Sequence, residues 1–142
     1  MRERKSQLLG EHDAVIEASG RTYADWSARG FGVATNPGPS KNRSVGSADN
    51  PQYPDVIVWR PNSPGASTGV AKIIEEIETE DSVTSNEADQ WADYASLGVE
   101  TFNLVVPVSK KTAALEIIRR MKIVGITRVQ GYYFQQGQVR FD

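Results

Sequence analysis

The chain has no cysteine. Disulfides and thiolate metal sites are therefore excluded. It has a single histidine, His12. No apolar run approaches the roughly 20 residues needed to cross a bilayer. The first residues, MRERKSQLLGEHD, are basic but lack the apolar stretch of a signal peptide. These features read as a cytoplasmic protein without membrane contact. There is no internal repeat or low-complexity tract. A further scarcity is local: from Glu75 to Asp93 there is no lysine or arginine, while Glu75, Glu76, Glu78, Glu80, Asp81, Glu87, Asp89 and Asp93 are all acidic. The net charge is −2, with 16 basic and 18 acidic residues. Setting aside those eight acids leaves 16 basic against 10 acidic, so the remaining body is mildly basic. Such a body is compatible with a polyanionic partner and carries one acidic region.

At 142 residues the chain reads as one domain spanning 1–142. Such a domain buries roughly two thirds of its unfolded surface and needs no covalent staples. Helical spacing of Val15, Ile16, Tyr23 and Trp26 predicts a helix over 11–29, weakened at Gly20 and stopped at Gly30. FGVAT (31–35) reads as a strand. A long loop rich in Pro, Gly, Ser and Asn follows at about 36–53, of the kind that is functional or disordered. DVIVW (55–59) is apolar and β-branched and reads as a strand. TSNE (84–87) has the form of a capping box, with Thr84 as N-cap of a helix that runs to about Leu97 before Gly98. TFNLVVPV (101–108) reads as a strand buried on both faces. Ser109 is the expected cap of a helix ended by Gly125, and residues 127–141 close the chain as a strand and hairpin. The class is α/β, a central mixed sheet flanked by helices.

The acidic stretch AKIIEEIETEDS admits two readings. As an amphipathic helix it would turn Ala71, Ile73, Ile74 and Ile77 inward and leave the glutamates in water. As a strand over 70–79 it follows a turn rather than a helix cap, is rich in β-branched residues, and precedes a separately capped helix. A hairpin centred on the SPGAS turn (63–67) pairs residue j with about 131−j. Trp59 then meets Lys72, Ile57 meets Ile74 and Asp55 meets Glu76. Residues opposite one another share a face about 5 Å apart, and Glu78 joins them two residues on. Three such carboxylates either raise one another's pKa or take up a hard cation. Oxygen ligands alone suit Mg²⁺ or Mn²⁺.

Pro54-Asp55 at a strand start, followed by Glu76-Ile77-Glu78 on the next strand, resembles the PD-(D/E)XK nuclease superfamily, the restriction-endonuclease-like fold with an αβββαβ core. The resemblance spans roughly residues 10–135. It implies metal-dependent hydrolysis of DNA phosphodiesters, with Asp55, Glu76 and the Ile77 carbonyl as ligands of Mg²⁺ or Mn²⁺. Glu78 stands where the motif has lysine. It could accept a proton from the attacking water or bind a second metal, but it offers no positive charge to a phosphate. Gln90 and Tyr94 resemble the Gln-x-x-x-Tyr of some branches, with Gln90 near the acids and Tyr94 reaching a phosphate. Trp91 and Tyr94 read equally as core aromatics. Lys41 and Arg43, in the long loop, are placed for DNA contact. His12, Glu11 and Glu17 read as helix-surface residues. Lys110, Lys111, Arg119, Arg120, Lys122 and Arg128 read mostly as solvated charges. The implied partner is DNA, engaged by a homodimer or with other partners, since one small face offers little contact area. The rival reading is a catalytically inactive module of the same fold that binds DNA or a protein.

Overall fold

A computed structural model describes residues 6–142. The elements are α1 (Ser6–Arg21), α2 (Ala24–Ala28), β1 (Gly32–Thr35), β2 (Val56–Pro61), β3 (Gly69–Ile77), α3 (Ser85–Ala95), β4 (Thr101–Pro107), a 3₁₀ turn over Val108–Lys110, α4 (Lys111–Met121), β5 (Arg128–Gln135) and β6 (Gln138–Phe141). The basic residues 1–5, on which the reading of the N-terminus depends, lie outside the described residues. No helix among the described residues is long and apolar enough to cross a membrane.

All six strands form one sheet in chain order. β3, β4 and β5 are parallel neighbours, and the β1–β2, β2–β3 and β5–β6 pairs are antiparallel. This is a mixed α/β sheet. Strand alternation divides its core in two. Ile57, Ile74, Phe102, Leu104 and Val106 face α3 and α4, where they meet Ala88, Trp91, Tyr94, Ala114 and Ile117. Val56, Ile77, Val105 and Tyr132 face α1 and meet Val15 and Ile16. Both crossover helices lie on one face, as right-handed connections between successive parallel strands require. Gly20 lets α1 lie close on β1, since a Cβ there would come within 3.1 Å of Thr35 Cγ2.

The acidic stretch is a strand, not a helix. From Ile73 to Thr79 every residue is buried, because helices cover both faces of the sheet. Its register with β2 is Val56↔Glu75, Ile57↔Ile74 and Val58↔Ile73, as the 131−j rule predicts. A bulge between Val58 and Trp59 then shifts the pairing, so Trp59 meets Ala71 rather than Lys72. Thr84 caps α3 as expected, its hydroxyl accepting from the Glu87 N–H. Ser109 does not cap α4; its hydroxyl donates to Glu80 at 3.0 Å, and the 3₁₀ turn starts the helix instead. Lys122, not Gly125, takes the left-handed position at the end of α4, with φ 56°. The first helix is two, broken at Tyr23.

The long loop is tied down by its first residue. Asn36, buried, accepts from the backbone N–H groups of Asn42 (2.7 Å) and Arg43 (3.0 Å) and donates to the carbonyls of Arg43 and Pro54. Val45 and Gln52 form a β-bridge across the loop. The Gly38 N–H donates to Asp13 Oδ1 of α1 at 2.9 Å. The loop thereby starts beside Pro54 at the head of β2 and reaches the β2–β3 turn, where Arg43 meets Ser67.

Candidate functional site

Asp55 immediately precedes β2, and its carboxylate is buried. Oδ2 accepts from the Ile77 N–H at 2.7 Å and lies 3.2 Å from His12 Nε2. These two contacts hold the carboxylate at one oxygen and leave Oδ1 outside both. In a strand the N–H and C=O of one residue face the same neighbour, so the Ile77 carbonyl lies on the Asp55 side. Its side chain points the other way, into the α1 core. Glu76 follows Ile74 by two residues and therefore shares the α3 face of the sheet.

Asp55 and Glu76 line one small cavity of about 50 Å³ together with His12, Asn36, Gly38, Ser40, Lys41, Tyr53, Glu87, Gln90 and Tyr94. Gln90 and Tyr94 are one turn apart on α3, and the Gln90 amide donates to the Tyr94 hydroxyl oxygen at 3.0 Å. Tyr94 is almost wholly buried, its ring edge-on to Phe102. Its pKa is raised well above the ordinary tyrosine range, by burial foremost, then by the charges of Glu76, Asp55, Glu78 and Asp93. The hydroxyl therefore stays protonated and sits within the field of the carboxylates.

Glu78 is 0 % exposed and is held differently. Ser82 Oγ donates to Oε1 at 2.8 Å and Trp91 Nε1 donates to Oε2 at 2.6 Å. The Tyr132 hydroxyl donates to its backbone carbonyl at 2.9 Å. The expected cluster of three carboxylates does not form. Among the described residues, no three His, Cys, Asp or Glu side chains come together as a metal-holding group. The physical reason is competition: an indole N–H and a hydroxyl draw Glu78 toward α3 and the turn after β3, and a buried carboxylate goes where donors offset its desolvation.

Glu75 belongs to the opposite face. Ser19 and Tyr23 donate to it from α1 and just beyond, the latter at 2.5 Å, and Asn103 Nδ2 donates at 3.0 Å. Burial first, and Glu75 second, push the Tyr23 hydroxyl pKa upward. This network fixes α1 to the middle of the sheet. The acidic run is thus distributed by alternation: Glu75 joins α1 to the sheet, Glu76 lines the cavity, Glu78 anchors α3, and Glu80 is exposed.

Of the loop cations, Lys41 lines the cavity with its ammonium 5.3 Å from the centre of the Tyr53 ring. Arg43 is elsewhere. Its guanidinium stacks 3.4 Å from the centre of the Trp59 ring and donates to the Ser67 carbonyl at 2.6 Å, tying the loop to the β2–β3 turn. Burial lowers its pKa. Glu17 is a surface residue paired with Arg21. His12 is not; it is 3 % exposed. The signal was present, since His12, Val15, Ile16 and Ser19 follow the i, i+3, i+4, i+7 spacing of one buried helix face. Asn36 and Tyr53 were also missed, because loop residues carry no periodicity. Arg119 and Arg120 are exposed helix charges, Arg120 donating to Ser85 Oγ at 2.9 Å. No family model, curated protein or solved structure matches the chain.

Proposed function

We propose that this chain is a metal-dependent nuclease hydrolysing DNA phosphodiester bonds on a restriction-endonuclease-like scaffold. The observation that carries the reading is the convergence of Asp55 and Glu76, 21 residues apart, on one small cavity with Gln90 and Tyr94. The order of helix, three antiparallel strands, helix, parallel strand agrees with the αβββαβ core of that fold.

The groups that would hold a metal are Asp55 Oδ1, the Glu76 carboxylate and the Ile77 carbonyl. All are hard oxygens, which suit Mg²⁺ or Mn²⁺. Such an ion would also take water and a phosphate oxygen as ligands. Bound there, such an ion would lower the pKa of a water and offset charge at phosphorus. The protein's own part is positional. His12 and the Ile77 N–H fix one oxygen of Asp55. Gln90 donates to the Tyr94 oxygen, so the Tyr94 proton is directed elsewhere, toward a carboxylate or a phosphate oxygen. In the reaction a water oxygen bonds to phosphorus, the ester P–O bond breaks, and the leaving oxygen takes a proton. The products are a phosphate monoester and an alcohol. A homodimer would enlarge the DNA contact surface.

A second reading has its own support. Both Glu78 oxygens already accept hydrogen bonds, and the position that holds lysine in the resembled motif is occupied by this anchored carboxylate. That favours a module of the same fold that binds DNA or a protein without cleaving. Cleavage of supercoiled plasmid, branched DNA and single strands with Mg²⁺ or Mn²⁺ separates the two. The nuclease reading expects nicking that is lost in Asp55→Ala and Glu76→Ala while both variants remain folded. Wild-type protein that neither binds Mn²⁺ nor nicks any substrate leaves the binding module. Undiminished nicking by both variants would assign the activity to another site or another protein.

A further inference from the structure

We infer that Lys41 is the cationic catalytic residue of this cavity, contacting the non-bridging oxygens of the phosphate that the carboxylate wall holds through its metal. The inference rests on the nuclease reading and extends it, placing the positive charge on the β1–β2 connection rather than on β3. Phosphodiester hydrolysis gathers negative charge on the oxygens around phosphorus, and preorganised cations at those positions lower the barrier. Asp55 and Glu76 add negative charge to the same small space, and Glu78 at the end of β3 has none to offset it. Among the described residues, Lys41 is the one lysine or arginine lining the cavity.

Two features make it suited to that contact. The first is freedom of the charge. Among the described residues Lys41 enters no ion pair, although it lines the same 50 Å³ space as Asp55, Glu76 and Glu87. The cavity lining thus brings together an ammonium and carboxylates that Lys41 does not pair with, a space of mixed charge. A ligand that presents a hard cation to the carboxylates and an anionic oxygen to the ammonium fills it. A metal-bound phosphate has that charge order. The second feature is placement. Asn36 binds the backbone of Asn42 and Arg43, and Gly38 is tied to Asp13, so the segment carrying Lys41 is fixed on both sides. The Tyr53 ring supplies a platform for the ammonium.

The test compares wild type, Lys41→Gln and Lys41→Arg in two assays. The first is single-turnover plasmid cleavage in Mn²⁺ across DNA concentrations. The second is the rise in melting temperature produced by inorganic phosphate in the presence of Mn²⁺. Lys41 is exposed, so neither substitution threatens the fold. Lys41→Gln should lower the cleavage rate at saturating DNA by about 10²–10³-fold, leave Mn²⁺ affinity unchanged and abolish the phosphate-induced rise. Lys41→Arg should recover part of both. A wild-type rate in Lys41→Gln, or a loss confined to KM, overturns the inference. Should the wild type fail to cleave, the nuclease reading fails and the phosphate assay alone judges Lys41. A phosphate response lost in Lys41→Gln and kept in Lys41→Arg then supports its contact with phosphate. A response that is absent in the wild type, or that survives in Lys41→Gln, overturns it.

Discussion

Replacing Glu78 with alanine removes the acceptor of two charge-assisted hydrogen bonds in a site with no access to water. Hydrogen bonds to charged groups contribute about 1.5–3 kcal/mol each. The two donors do not lose equally. Ser82 Oγ already accepts from the Thr79 N–H at 2.8 Å, and its hydroxyl lies 3.3 Å from the Thr79 carbonyl, so it has another partner to turn to. Trp91 Nε1 has no such choice and would be left buried and unsatisfied, at a cost of about 1–3 kcal/mol. Release of a desolvated carboxylate offsets part of the loss. The net expectation is about 3 kcal/mol of destabilisation for Glu78→Ala and about 1–2 for Glu78→Gln, whose amide still accepts from Trp91 and donates to Ser82. For a chain of this length, 3 kcal/mol corresponds to a fall in melting temperature of roughly 10 °C. Urea titration followed by tryptophan fluorescence measures the effect, and Trp91→Phe completes a double-mutant cycle. The coupling between Glu78 and Trp91 should be about 1–2 kcal/mol. A Glu78→Ala protein as stable as wild type, or zero coupling, would refute the view that this carboxylate holds α3 against β3.

Three further outcomes follow from the geometry. Tyr94 keeps its proton in the folded state to a pH well above the unfolded tyrosine value of about 10. Unfolding therefore releases a proton above that pH, and stability should fall by about 1.4 kcal/mol per pH unit from Tyr94 alone. Tyr23 acts in the same direction, and Tyr94→Phe should flatten the alkaline decline in denaturation measurements between pH 9.5 and 11. Asn36→Ala loses four hydrogen bonds of the loop, which should cost about 2 kcal/mol after water replaces some of them. Limited proteolysis should then cut within 37–53, where the wild type resists. His12→Ala removes one of the two contacts that restrain Asp55 Oδ2, and Mn²⁺ affinity by calorimetry should weaken about tenfold; unchanged affinity would assign His12 to packing alone.

Much of the architecture was legible because strong local signals agreed with the global fold. The β-branched content of 70–79, the turn at 63–67 and the Thr84 cap together specified a strand, a hairpin and a helix start. The pairing of 56–58 with 73–75 followed from symmetry about Gly65. The same symmetry failed at Trp59, because a bulge is set by side-chain packing that sequence spacing does not express. Asp55, Glu76, Gln90 and Tyr94 were readable as neighbours because register and helix periodicity place them without long-range information. Glu78 was misassigned to the cluster for the opposite reason. Alternation places its Cβ on the correct face, but the direction of a flexible carboxylate depends on donors such as Trp91, 13 residues away, and Ser82. His12 shows the same limit: its spacing marks it as inward, but nothing local says that inward means Asp55.

The slip in pairing between Val58 and Trp59 has a practical consequence. It divides the hairpin into an inner part, locked by both cores, and an outer part beside the turn at 63–67, where Ser63, Pro64 and Gly65 are exposed. Lengthening the outer part changes how far the tip protrudes, while the inner ladder keeps its spacing. The tip is therefore a suitable graft point for an epitope or a fluorophore, which would report on the molecule without displacing Asp55 or Glu76.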